Sequence, residues 1–165
     1  MPFEDVLIEL GPDGASAAYF VMDEHVMTWL LNDPYVAVSS DGSPTMLHPR
    51  GHGSFAKVIA QYVVAEGLLP LEGAVRKMSG LTAEIFRLDD STVVGVPRGR
   101  LAPGFAADLV AFDPAEVRAP ASFEEPHRKA RGMRAVWVNG RLAWADGGPA
   151  GEADRGGGVA LRALR

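Results

Sequence analysis

The apolar runs Ala135-Val136-Trp137-Val138 and Arg141-Leu142-Ala143-Trp144 are separated by just two residues, Asn139-Gly140. Nothing else in this chain constrains its fold as tightly. A two-residue hairpin loop matches the twist of its strands when both turn residues take positive φ, which asparagine and glycine tolerate best. The second half of the chain is therefore an antiparallel β element. Thr92-Val93-Val94-Gly95-Val96 and Leu109-Val110-Ala111-Phe112 supply two more strand candidates. Past Ala145, Asp146-Gly147-Gly148-Pro149 and Gly156-Gly157-Gly158 predict a weakly ordered tail.

Before Asp90 the periodicity is different. Residues 3–10 predict a helix closed by Gly11-Pro12-Asp13-Gly14, and residues 15–21 a short strand. Asp23 is placed to cap a second helix, in which Val26, Met27, Leu30 and Leu31 share a face until Asn32-Asp33-Pro34 stops it. Tyr35-Val36-Ala37-Val38 then reads as a buried, parallel strand. Ser54 is a candidate N-cap for the strongest helix, whose Phe55, Val58, Ile59, Tyr62 and Val63 fall at i, i+3, i+4, i+7 and i+8 before Gly67. Two shorter helices follow, around Leu71, Ala74, Val75 and Met78 and over residues 82–88. Alternating strand and helix is the pattern of a parallel α/β domain.

Composition narrows the classes of function. With 165 residues and 47% apolar content, the chain can bury one substantial core or two small ones. It has no cysteine, which removes disulfides and thiolate metal sites. A net charge of −5 argues against general nucleic-acid binding. No run approaches the roughly 18 to 20 apolar residues of a membrane span, and the first residues lack the features of a signal peptide. The expected location is the cytoplasm.

The candidate chemistry lies where the run 35–38 ends at Ser39-Ser40-Asp41-Gly42-Ser43-Pro44. In α/β folds the C-terminal edge of the strands is where active sites form. His48-Pro49-Arg50-Gly51-His52-Gly53 follows, bringing two imidazoles and a guanidinium towards the same carboxylate. The alternatives are plain ones: Asp41-Gly42 as a turn, Arg50 as a solvated charge, and His48 and His52 as loop hydrogen-bonders. Pro49 and Gly51 argue against a helix aligning the two histidines as ligands. His25 reads as a surface residue, His127 as structural, and Asp108 as a hydrogen-bond acceptor for the local Pro103-Gly104 turn. Trp29, Trp137 and Trp144 read as packing residues. Two strands cannot close or cover a sheet, so the sequence looks like the tail of something larger.

Three segments carry a resemblance: Ser39-Ser40-Asp41-Gly42 with His48 to Phe55; Glu66-Gly67-Leu68-Leu69-Pro70 through Met78; and Gly99 to Pro114 with Phe123, Pro126-His127 and Val136 to Gly140. With these the chain resembles the C-terminal part of the amidohydrolase superfamily, in its D-aminoacylase (N-acyl-D-amino-acid deacylase) branch. The resemblance implies an α/β fold: the last one or two strands of a TIM-type (β/α)8 barrel over residues 1–90, part of a small β-sandwich over 91–146, and a flexible tail over 147–165. It implies hydrolysis of N-acyl-D-amino acids, with Asp41 as general base and acid, Arg50 on the substrate carboxylate, and His48, Ser40 and Gly42 lining the substrate. Zinc is implied for the complete enzyme. The His-x-His pair that would hold it has no counterpart here, and a barrel takes about 250 residues, so the chain is expected to be a fragment or one part of a split enzyme. Alone it is expected to be inactive and metal-free, and to self-associate or pair with a missing N-terminal half. A non-catalytic interaction module and a cyclic-amide hydrolase of the dihydroorotase or hydantoinase kind are the alternatives.

Overall fold

The computed structural model describes residues 2–11, 21–43, 45–145, 147–150 and 157–161. Helix α1, Phe3–Leu10, ends at Gly11, whose φ of 71° is open to glycine. The strand expected over 15–21 falls on residues outside the described ones, apart from Val21, which is in no strand. Helix α2, Glu24–Asn32, starts as its sequence requires: the Asp23 carboxylate accepts the His25 and Val26 amides at 2.8 and 3.1 Å.

Tyr35 to Ser39 was expected to be a buried parallel strand; among the described residues it pairs with no strand. A strand is defined by its neighbour, and here the neighbour is a helix: the Val38 amide donates to the Lys77 carbonyl at 3.1 Å. The next helix, α3 (Arg50–Lys57), begins five residues earlier than the Ser54 cap predicted, with Pro49 as its N-cap. Proline is harmless there, because the first amides of a helix have no partner in the helix. Ser54 lies within α3 and donates its hydroxyl to the Arg50 carbonyl at 2.9 Å. Without a break α3 continues as a π-helical segment, Val58–Ala65, ended by a Glu66 amide bond to the Gln61 carbonyl. The buried face differs in part from the predicted one. Val58, Ile59 and Tyr62 are buried as expected, whereas Phe55 is exposed and Ala56 takes an inward position.

Helices α4 (Leu71–Met78) and α5 (Gly80–Ile85) follow. The strand predicted over 92–96 is instead a single helical turn, α6 (Ser91–Val94). Its local cap decides this. Asp90 accepts the Thr92 amide and hydroxyl, bonds that with Arg87 hold its carboxyl down at about 2, and Gly95 closes the turn at φ 77°. Four antiparallel strands come last, in the order β1 (Leu109–Phe112), β2 (Met133–Val138), β3 (Arg141–Ala145) and β4 (Gly148–Pro149). Asn139 and Gly140 turn the β2–β3 hairpin at φ 50° and 78°, as predicted. Part of the expected tail thus joins the sheet, while 151–156 and 162–165 lie outside the described residues.

Two small buried clusters flank the α3 to π-helix rod. Leu31, Val58, Tyr62, Leu69 and Ala74 form one; Ala56, Ile59 and Val117 form the other and meet Phe112 and Met133 of the sheet. The helical half is tied to the hairpin by a polar knot. Asp108 was expected to serve its local turn, but it accepts the Asn139 amide at 2.7 Å and pairs with Arg98, whose own amide donates to the Leu88 carbonyl at 2.8 Å. Trp29, expected to pack inside, is exposed, while Trp137 and Trp144 are half-buried in the sheet. No helix among the described residues is long and apolar enough to cross a membrane.

Candidate active site

Asp41 and Arg50 meet. Their side chains form an ion pair at 3.3 Å, each more than half exposed. Asp41 has φ 53°, a left-handed conformation that is uncommon for a residue with a side chain and is found preferentially at functional sites. Its neighbours explain how the turn is held. The Ser40 hydroxyl accepts the Gly42 amide at 3.2 Å, and a Cβ on Gly42 would stand only 3.2 Å from the Gly51 carbonyl oxygen. Glycine at 42 therefore lets the Asp41 turn approach the first turn of α3, which is how Arg50 comes within reach.

His48 sets the start of that helix. Its Nδ1 accepts the Arg50 amide at 3.1 Å, and its ring meets Phe123 edge to face at 4.9 Å. An acceptor Nδ1 in a neutral ring leaves Nε2 carrying the proton. His52 lies on α3, so the region expected to be a loop is helical from Arg50 onward. Its ring faces His127 at 5.6 Å, and His127 Nε2 is 3.0 Å from the Met46 carbonyl oxygen. The arm around residues 118–131 thus lies against α3, where a Cβ on the buried Gly53 would make ordinary contact with Ala119 and Ala121. His25 is exposed.

An open cleft of about 1120 Å³ adjoins these groups, walled by α2, the extended 36–39 segment, α3 with its π-helical continuation, and the arm. His48 and Arg50 line it together with Ser39 and Phe123. Asp41 is joined to it through Arg50. The guanidinium can therefore face a guest in the cleft with one side and the carboxylate with the other. As an exposed pair the two contribute about 0–1 kcal/mol, so a ligand carboxylate can displace Asp41 from Arg50 cheaply and gain a planar, forked donor. Among the described residues no group of three His, Asp or Glu side chains is arranged to hold a metal ion. The donors present do not fit such a site by themselves.

Two side chains near these groups have placements that the sequence reading did not assign. Phe123 closes over His48 across 75 positions of chain, a proximity no local pattern encodes. Lys77 is buried at 6% exposure, and here a signal existed: Ala74, Lys77 and Met78 fall at i, i+3 and i+4, which places the lysine on the inward stripe of α4.

The sequence profile described as "Amidohydrolase family" matches residues 9–143. An N-acyl-D-aspartate deacylase of Alcaligenes xylosoxydans xylosoxydans is 40% identical over 153 residues, covering 86% of this chain and 29% of that protein. A D-aminoacylase of the same organism is 44% identical over 144 residues, 86% of this chain and 28% of its own length. The chain thus spans under a third of these relatives. In three dimensions it matches a D-aminoacylase crystal structure with a TM-score of 0.76 at 38% identity, over 92% of this chain and 33% of that one. It also matches an N-acyl-D-glutamate deacylase from Bordetella bronchiseptica, complexed with zinc and a phosphonate inhibitor, with a TM-score of 0.69 at 39% identity, over 79% of this chain and 27% of the other. A profile match across most of the chain, together with structural agreement at this level of identity, establishes that it belongs to the amidohydrolase family, within which it resembles the D-aminoacylase and N-acyl-D-amino-acid deacylase branch.

Proposed function

We propose that this chain is a portion of a metal-dependent amidohydrolase that hydrolyses N-acyl-D-amino acids to a D-amino acid and a carboxylate. The observation that carries the reading is the Asp41–Arg50 pair, an acid with a left-handed backbone beside an anion-binding fork that lines a cleft. Asp41 takes a proton from the water that adds to the amide carbonyl. As the carbon–nitrogen bond breaks, it returns that proton to the departing nitrogen. Arg50 exchanges its contact with Asp41 for the α-carboxylate of the substrate, which frees the base as the substrate arrives. His48 presents its Nε2 proton, Ser40 and Gly42 shape the turn, and all three border the acyl amino acid.

In this reading the metal would be held by residues other than the described ones, among which no ligand group is found, on polypeptide corresponding to the roughly two thirds of the relatives that the chain does not span. A metal bound there would supply water activation and polarisation of the carbonyl. The test is reconstitution with that polypeptide and zinc. Asp41→Asn is expected to lower kcat by about 10²–10⁴-fold with KM little changed, whereas Arg50→Met should chiefly raise KM. Substantial turnover by the asparagine variant would remove Asp41 from the role.

A second reading is favoured by the apolar surface of α1 and α2, where Ile8, Val26 and Trp29 are 77%, 52% and 67% exposed. Under it the chain is an interaction module that covers this face by association. Native mass spectrometry with zinc supplied separates the two: metal-free oligomers of the chain alone, with no gain of activity on adding the complementary polypeptide, support the module.

A further inference from the structure

Lys77 is the one buried charged residue among those described, and nothing in the reading above employs it. Its ammonium donates to the Asp33 carbonyl and, at 2.9 Å, to the Val36 carbonyl. Its own carbonyl accepts the Val38 amide at 3.1 Å. One residue before it, Arg76 donates to the Pro34 carbonyl at 3.2 Å. The last turn of α4 therefore holds the extended segment at Asp33, Pro34, Val36 and Val38, doing along one edge what a neighbouring strand does in a sheet.

The choice of residue is informative. Burying an ammonium costs several kcal/mol unless its protons are bonded, and methionine would fill the same space without that cost. Burial pushes the Lys77 ammonium below the ordinary lysine value, with the Asp33 carboxylate opposing. What lysine adds is a head with several donors, able to reach two carbonyls of a segment that, among the described residues, has no strand beside it. Asp41, with its left-handed backbone, follows Val38 by three residues.

We propose that Lys77 is the positioning residue of the Asp41 rim: by clamping the backbone from Asp33 to Val38 it fixes where the Asp41 turn leaves the core and meets Arg50. This rests on the reading of Asp41 as the acid–base group. The experiment is amide hydrogen exchange by NMR on the 165-residue chain and its Lys77→Met and Lys77→Arg variants. Methionine is expected to speed exchange at Val38 by about tenfold or more, to move the Asp41 and Gly42 amide resonances, and to leave Tyr62 protected as before. Arginine, which keeps a donor head, should retain part of the Val38 protection. Exchange at Val38 that is unchanged in Lys77→Met, or that rises equally at Tyr62, would overturn the proposal. A readout that needs no variant guards against misfolding: scalar couplings across hydrogen bonds from Lys77 Nζ to the Asp33 and Val36 carbonyl carbons are expected in the parent chain, and their absence also overturns it. None of these measurements involves turnover. Activity surviving in Asp41→Asn would remove the role of Asp41 and leave the clamp standing, and a Val38 amide indifferent to Lys77 would do the reverse.

Discussion

Replacing Tyr62 by alanine is expected to destabilise the fold by about 3–5 kcal/mol, the usual loss for a large aromatic taken from a core. Tyr62 is 2% exposed and stands at the centre of the cluster that joins α2, the π-helical segment and α4. Its hydroxyl donates to Glu24 at 3.0 Å, so the side chain also ties the start of α2 to the rod. Urea unfolding measures the loss, and a cost below about 1 kcal/mol would mean that the two clusters are not one cooperative core. The phenol adds a dependence on pH. Burial first, and then the Glu24 carboxylate, push its pKa above the ordinary value of 10.0. The unfolded chain then loses this proton before the folded one does, so the contribution is complete below about 10 and declines as the pH rises further. Tyr62→Phe should lack that part of the alkaline loss.

Gly132→Ala is the second large effect. Gly132 has φ 87°, and a Cβ there would lie 2.5 Å from the Glu116 carbonyl oxygen and 2.7 Å from the Val117 nitrogen. Both are backbone atoms, so no side chain can rotate away. The left-handed conformation costs a residue with a Cβ about 1–2 kcal/mol and forced overlap about 1–3 kcal/mol, giving about 2–5 kcal/mol in all. The damage should spread to the fully buried Val117, because the paired amides of Arg118 and Arg131 hold the two segments at this distance. Denaturant unfolding, with the Val117 methyl resonances as a local probe, tests both parts. A variant with parental stability and unshifted Val117 methyls would contradict the assigned contact.

Much of the fold was legible because its signals are short in range. Asp23 capping α2, Gly11 closing α1 and Asn139-Gly140 turning the hairpin each act over a few residues, and each is found as the sequence predicts. The two misread strands have one cause. Residues 35–39 and 92–96 both read as strands from their β-branched and small apolar residues, but a strand also needs a partner, which no local window contains. At 91–94 the Asp90 cap outweighed the propensity of Thr92, Val93 and Val94; at 35–39 the Lys77 backbone and ammonium took the place of a strand.

The site divides in the same way. Taken by itself, the sequence singled out the candidates for chemistry at the rim, because Asp41, His48 and Arg50 are reactive or charged types gathered within ten positions after an apolar run. It also determined the hairpin, through the backbone freedom of two turn residues. Only the tertiary structure decided that Asp41 touches Arg50, that His48 spends Nδ1 on a helix amide and rests on Phe123, and that Lys77 holds the segment leading to the acid. Those contacts depend on how a turn closes and which helix packs behind it, and their free energy comes from groups distant in the chain that meet only once the core has formed.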